Sequence, residues 1–302
     1  MDRAPIAFFA YNRPEHTLRS LEALSRCELA DESVIHIFCD GAKELADETQ
    51  VALVREIVGS REWCKEVHIE FSKKNKGLAN SIIYGVSSLC GKYGKVIVLE
   101  DDLVVSPFFL KYMNDSLGLY EKEERVRQVA GYMFGGPLAS DTDAVFMPFT
   151  SSWGWATWEK AWKQFDPDMK VYEVMEGNSR LRKRFNLDGA YNFWGMLKDQ
   201  KAGKIDSWAI RWYLSVFMTD GLTLYPVRSL VENRGWDGSG THCGVSNKSN
   251  EEQIDPEFSV LTYPADIRVS SLYEIVKYRL RKRSTIRYRA RYIFDNIFKT
   301  SL

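Results

Sequence analysis

Residues 95–103 read Lys95-Val96-Ile97-Val98-Leu99-Glu100-Asp101-Asp102-Leu103. The unbroken apolar run predicts a buried strand from Lys95 to Leu99. Three carboxylates then follow at its C-terminal end. In an open α/β sheet, ligands bind just beyond the carboxyl ends of the strands. Adjacent carboxylates repel one another unless solvent or a cation screens them. A hard divalent cation that keeps part of its water and takes phosphate oxygens suits such a cluster. An acidic turn in solvent is the plain alternative, and the triplet alone does not choose between them.

Upstream, strands and helices alternate. Ile6–Ala10 reads as an apolar strand, Val34–Cys39 as a second strand ending at Asp40-Gly41, and Val67–Phe71 as a third. Helical periodicity covers Arg13 to Leu24, Glu48 to Val58 and Gly77 to Leu89. This spacing means βαβ units and a mostly parallel, Rossmann-like sheet. Neither Gly-x-Gly-x-x-Gly nor Gly-x-x-x-x-Gly-Lys-Ser/Thr occurs, so a bound phosphate must be held by metal and basic side chains. Phe108–Glu124 reads as a helix and Gln128–Phe134 as a strand, which closes a nucleotide-binding half at residues 1–134.

The second half, residues 135–266, has a different texture. Residues 135–152 read as loop, and Trp153-Gly154-Trp155-Ala156-Thr157-Trp158 leads into a helix ending at Trp162. A helix is expected over Ser207–Met218 and a strand over Leu222–Pro226, followed by a polar, glycine-rich loop at 233–256. Residues 267–302 form a basic amphipathic tail: from Arg268 onward, ten Lys or Arg stand against Glu274 and Asp295, interleaved with aromatic and aliphatic residues. Such a segment suits an anionic membrane surface. A terminal helix packed on the domain is the alternative.

Bulk composition excludes some classes. Lys plus Arg equals Asp plus Glu, at 41 each, so no whole-chain field favours nucleic acid. The five cysteines are odd in number and lack metal-ligand spacing, which points to a reducing compartment. No leader pattern opens the chain, and no run of about 18 apolar residues occurs. The expected location is cytoplasmic, with a peripheral position on the inner face of the plasma membrane.

Val98-Leu99-Glu100-Asp101-Asp102-Leu103-Val104-Val105-Ser106-Pro107-Phe108-Phe109 resembles the Glu-Asp-Asp-Leu segment of the N-acetylglucosaminyltransferase I-like glycosyltransferases. Phe9-Ala10-Tyr11-Asn12-Arg13-Pro14 resembles the Asn-Arg turn after their first strand. Trp153–Trp158 and Asp206-Ser207-Trp208 look like segments of bacterial relatives that build surface polysaccharides. The resemblance spans roughly residues 5 to 245. It implies a GT-A fold and inverting, manganese- or magnesium-dependent transfer from a nucleotide-sugar, most often UDP-linked, to a glycan or lipid-linked acceptor.

Carried over residue by residue, Asp102 is the implied direct metal ligand. Glu100 and Asp101 would reach the ribose or metal-bound water. Arg13 would meet the diphosphate or base, and Asp40 resembles the acid that contacts uracil. For Asp40, a turn former before Gly41 is the alternative. His242 resembles a loop histidine near the diphosphate. Tyr132, Trp153 and Trp155 could line the sugar and acceptor pocket, with ordinary core packing the stronger alternative for each of them. Lys74, Asn75 and Lys76 precede a helix and read as a solvated run. An inverting displacement needs a base on the acceptor side, and Asp206 is the candidate, with an N-cap role as its alternative. Relatives carry two adjacent acids here, whereas this chain has Asp206-Ser207. A sugar-1-phosphate nucleotidyltransferase is the rival enzyme, and a noncatalytic carbohydrate- or membrane-binding protein the rival of another class.

Overall fold

A computed structural model describes residues 3–235 and 254–282. β1 (Ile6–Ala10), β2 (Val34–Cys39), β3 (Glu66–Phe71) and β4 (Lys95–Glu100) lie parallel in the order β3-β2-β1-β4. β1 and β4 find cover on both faces, β2 is covered on alternate residues, and β3 is the exposed edge. Ile6, Phe8 and Ala10 point to one core, and Ala7 and Phe9 to another. That period of two explains why β1 has no exposed side.

Helices cover the two faces. α1 (Pro14–Ser25), α2 (Glu48–Val58) and α4 (Phe109–Leu119) supply Leu21, Leu24, Val54, Val58, Phe109 and Met113 to the first core. On the other face, α3 (Leu78–Tyr93) and the later α9 (Trp208–Met218) pack Ile82, Val86, Trp208 and Trp212 against Val96 and Val98. A right-handed crossover from strand to parallel strand places helices in this way.

The sheet continues with four further strands, in the order β4-β8-β6-β9-β7. β6 (Val126–Ala130) and β9 (Leu222–Pro226) run parallel to each other. β8 (Trp155–Trp158) is antiparallel to both β4 and β6, and β7 (Ala144–Met147) is antiparallel to β9. The result is a mixed α/β fold on one eight-stranded, mostly parallel sheet. β7 falls where a loop is expected, and its partner β9 lies some 80 residues away in sequence, beyond the reach of local pattern. A separate antiparallel pair joins β5 (Leu103–Val105) to β10 (Val231–Asn233).

Between β8 and α9 lie four short helices, α5 (Glu159–Trp162), α6 (Tyr172–Gly177), α7 (Ser179–Phe185) and α8 (Phe193–Lys201). The last three form a second apolar cluster with the outer face of α9. The sequence reading assigned only the first of them, because none of the others is long enough to show a clear period. The chain is helical from 273 to 282, and Val276 and Leu280 enter this second cluster. Lys277 Nζ pairs with Asp188 at 2.6 Å and with Glu274 at 2.8 Å. The first turns of the tail are therefore docked on the domain. Its remainder, from 283, lies outside the described residues, as do His242 and Cys243. The four described cysteines are free and buried. Among the described residues, no helix is long and apolar enough to cross a membrane.

Candidate active site

Strand order locates the site. The chain moves outward from β1 to β2 to β3, then returns to place β4 on the other side of β1. In open α/β sheets such a reversal makes the flanking loops, here those after β1 and β4, diverge at the carboxyl ends, the usual place for a ligand. Tyr11-Asn12-Arg13 leaves β1 on one side of it, and Asp101-Asp102 leaves β4 on the other.

Arg13 closes this gap. Its Nη1 donates to Asp102 Oδ2 at 3.1 Å, and its Nη2 makes a close pair with Asp101 Oδ1. These side chains are largely buried, at 17% exposure for Arg13, 5% for Asp101 and 11% for Asp102. The backbone of Arg13 is pinned as the residue before α1: its carbonyl accepts from Thr17 N and Thr17 Oγ1, both at 2.9 Å. Asp101 is held further by Tyr11 N at 3.4 Å, and its carbonyl accepts from Ser20 Oγ at 2.7 Å. Ser20 lies on α1, so helix and acidic turn are locked together.

Electrostatics follow from the packing. Burial, then the neighbouring Asp102 and Asp101, push the Glu100 carboxyl upward, with Arg13 opposing. Burial also raises Asp101, against the pull of Arg13. Burial works against the Arg13 charge, but the two aspartates outweigh it and push the guanidinium upward. Among the described residues, Arg13 is the cation that pairs with this acidic cluster. Such a site is short of positive charge, and each desolvated carboxylate left uncompensated is costly.

A divalent cation fits that deficit. Glu100 makes no side-chain hydrogen bond or ion pair among the described residues, and Asp102 Oδ1 accepts none there either. No group of three or more His, Cys, Asp or Glu side chains among the described residues forms a ready cage. The donors suit an ion held by one or two carboxylates and completed by water and substrate phosphates.

Two supports were not read from sequence. First, β10 pairs with β5 so that Asn233 faces Leu103, and Arg234 N donates to the Asp102 carbonyl at 2.8 Å. Gly235 then closes on the acids: a Cβ there would collide with Asp102 Oδ2 and stand 3.3 Å from Arg13 Nη1. Only glycine lets the backbone approach this closely. Second, Asp47 accepts from Tyr11 OH at 2.6 Å and Asn12 Nδ2 at 2.9 Å, bracing the turn that presents Arg13. The Tyr11 hydroxyl is pushed up to about 12, first by burial and then by this bond. The Glu-Asn-Arg-Gly run at 232–235 after Leu230-Val231 was the available signal for the first support. Asp47 offered none, since its partners lie 35 and 36 residues away.

The other sequence candidates have the following surroundings. Asp40, buried at the end of β2, accepts from the backbone N–H groups of Gly41, Lys76 and Gly77 at 2.8–3.1 Å. It fastens the turn ahead of α3. Lys76 pairs with Glu70 at 3.1 Å, and Asn75 donates to the Gly41 carbonyl. Trp155 is fully buried and stacks on Trp208 at 5.0 Å, inside the α3–α9 core. Tyr132 and Trp153 meet edge to face at 4.5 Å, with Trp153 only partly buried. Asp206 keeps 60% of its side chain exposed and accepts from Arg211 Nη2 at 2.9 Å. The N-cap of α9 is Ser207, whose Oγ accepts from Ile210 N, so capping does not explain Asp206.

No family model matches the sequence, and no curated protein matches it. Among solved structures, mouse xyloside xylosyltransferase 1 in its apo form is similar at a TM-score of 0.38 and 10% identity, over 72% of this chain and 82% of that one. S. aureus TarS 1–349 is similar at a TM-score of 0.39 and 9% identity, over 75% of this chain and 59% of that one. The galactosyltransferase LgtC, in complex with donor and acceptor sugar analogs, is similar at a TM-score of 0.33 and 13% identity, over 57% and 64% respectively.

Proposed function

We propose that the protein is an inverting, metal-dependent glycosyltransferase of GT-A type. It would move a sugar from a nucleotide-sugar, UDP-linked in the first instance, to a glycan or lipid-linked saccharide in surface-polysaccharide assembly. One observation carries this reading: Asp101 and Asp102, next in sequence to Glu100, pair with Arg13 at the strand ends where the sheet order reverses. The sequence resemblance supports it at those same residues.

The chemistry asked of the site is departure of a nucleoside diphosphate. Manganese or magnesium held at Asp102, with Glu100 beside it, would offset the charge that grows on the leaving diphosphate. Arg13 would add a guanidinium to the same site, suited to anion recognition by its planar fork. Asp101 orients Arg13. Asp206 takes the proton of the acceptor hydroxyl as it attacks the anomeric carbon, and Arg211 holds that carboxylate in place. A single displacement inverts the configuration, so no protein nucleophile is required. Trp153, only partly buried, offers an aromatic face to a sugar ring, whereas the Tyr132 ring expected there lies buried in the first core.

The expected result is slow hydrolysis of a UDP-sugar in the presence of manganese, abolished by chelator and restored by added metal. Absence of turnover across UDP-, GDP- and dTDP-sugars with either metal would overturn the reading.

The tail supplies the proposed contact with an anionic membrane. Because Val276 and Leu280 belong to the second core, the informative truncation ends the chain at Lys282 rather than before the helix. That truncated protein is expected to stay folded and to lose sedimentation with anionic liposomes. Undiminished sedimentation would assign membrane contact to another surface.

A further inference from the structure

Arg13 bridges the two aspartates, whose other anchors differ. Its Nη2 pairs with Asp101, and its Nη1 reaches Asp102 at 3.1 Å. Asp101 is fixed from several sides, by Tyr11 N at its carboxylate and by Ser20 at its carbonyl. Asp102 is fixed through its backbone, by Arg234 N, whereas Arg13 is its carboxylate's sole hydrogen-bond partner among the described residues. The Arg13 backbone cannot withdraw, because Thr17 and Pro14 pin it.

From this asymmetry we infer that Arg13 is a resident counter-charge which a cation must displace from Asp102, so that metal and nucleotide diphosphate bind as a coupled pair. The inference rests on the metal-dependent reading above. Without a cation, Nη1 neutralises Asp102. A divalent ion arriving alone competes with that guanidinium and also meets its repulsion. When a diphosphate arrives with the ion, the displaced Nη1 gains phosphate oxygens while Nη2 stays on Asp101. The two ligands then favour each other, and by linkage the effect is reciprocal. Arg13 is therefore a positioning residue as well as an anion contact: it sets the requirement for joint binding.

The test measures binding of manganese alone, and then of manganese with UDP present, by calorimetry on the full chain. The parent is expected to bind manganese weakly alone and at least about tenfold more tightly with UDP, within the usual range of coupling. Arg13→Met keeps the apolar stem and removes the charge. It is expected to bind manganese alone about tenfold more tightly than the parent and to lose most of the tightening by UDP. Its melting temperature, lowered by the unpaired aspartates, should rise with manganese alone, whereas that of the parent should barely move.

Arg13→Lys keeps a cation without the fork and is expected to fall between the two. It serves as the readout if Arg13→Met does not fold. Manganese affinity that is equal or weaker in both variants, with normal tightening by UDP, would overturn the inference while leaving the metal reading intact. No manganese binding by any of the three proteins, with or without UDP, would overturn the metal reading and this inference with it.

Discussion

Asp102→Ala is expected to lower affinity for a UDP-sugar in the presence of manganese by more than about 100-fold, beyond the 10- to 100-fold typical of residues that merely support a metal ligand. The fold should survive. Removing this acid leaves Arg13 paired with Asp101 and relieves repulsion among Glu100, Asp101 and Asp102, so the unliganded protein should change in stability by about 1 kcal/mol or less. Calorimetric titration with and without chelator, alongside a melting curve of the unliganded protein, checks both halves. Affinity equal to that of the parent would remove Asp102 from the metal site. A collapsed melting temperature would instead show that the acid is needed for the turn itself.

Asp206→Asn is the second large effect. Asparagine keeps the shape and can still accept from Arg211, and the α9 cap stays with Ser207. Stability should therefore move by less than about 0.5 kcal/mol, as for an exposed ion pair. Turnover should fall by about 100- to 10,000-fold, the usual cost of losing a general base. Binding of the nucleotide-sugar should hardly change. Anomeric coupling constants of the parent's product should show the configuration opposite to the donor's. Turnover close to that of the parent would reduce Asp206 to a surface acid. Asp199, which pairs with Lys204 at 3.5 Å, is then the next described acid to test, with Asp237 outside the described residues. Retained configuration would overturn the inverting mechanism itself.

The two candidates differed in how legible they were. The acidic triplet announces itself because three charges interrupt an apolar strand, and a strand end is a definite place in this class of fold. Asp206 shows only an acid ahead of a helix, which describes many caps. The structure gives the cap to Ser207 and the carboxylate to Arg211, five residues on, whose side chain is only 11% exposed. Trp155 illustrates the opposite difficulty. Sequence alone cannot tell an aromatic residue lining a pocket from one in a core, and here the ring lies wholly inside the α3–α9 layer.

Local pattern by itself determined the first half of this protein. β1, β2, β9 and α2 fall on their sequence-derived limits, because strand burial follows continuous or alternating apolar residues and a surface helix must repeat near 3.6 residues. Those elements in that order imply a parallel sheet, and the acids at the end of β4 imply where a ligand would lie. Tertiary structure alone decided what surrounds the acids. Arg13 reaches Asp101 and Asp102 from 88 and 89 residues away, and β10 brings Gly235 against Asp102 from beyond 130. β8 enters antiparallel between β4 and β6. Such pairings are chosen by the burial of whole faces and by the balance of charge between distant segments. No window of neighbouring residues contains either quantity.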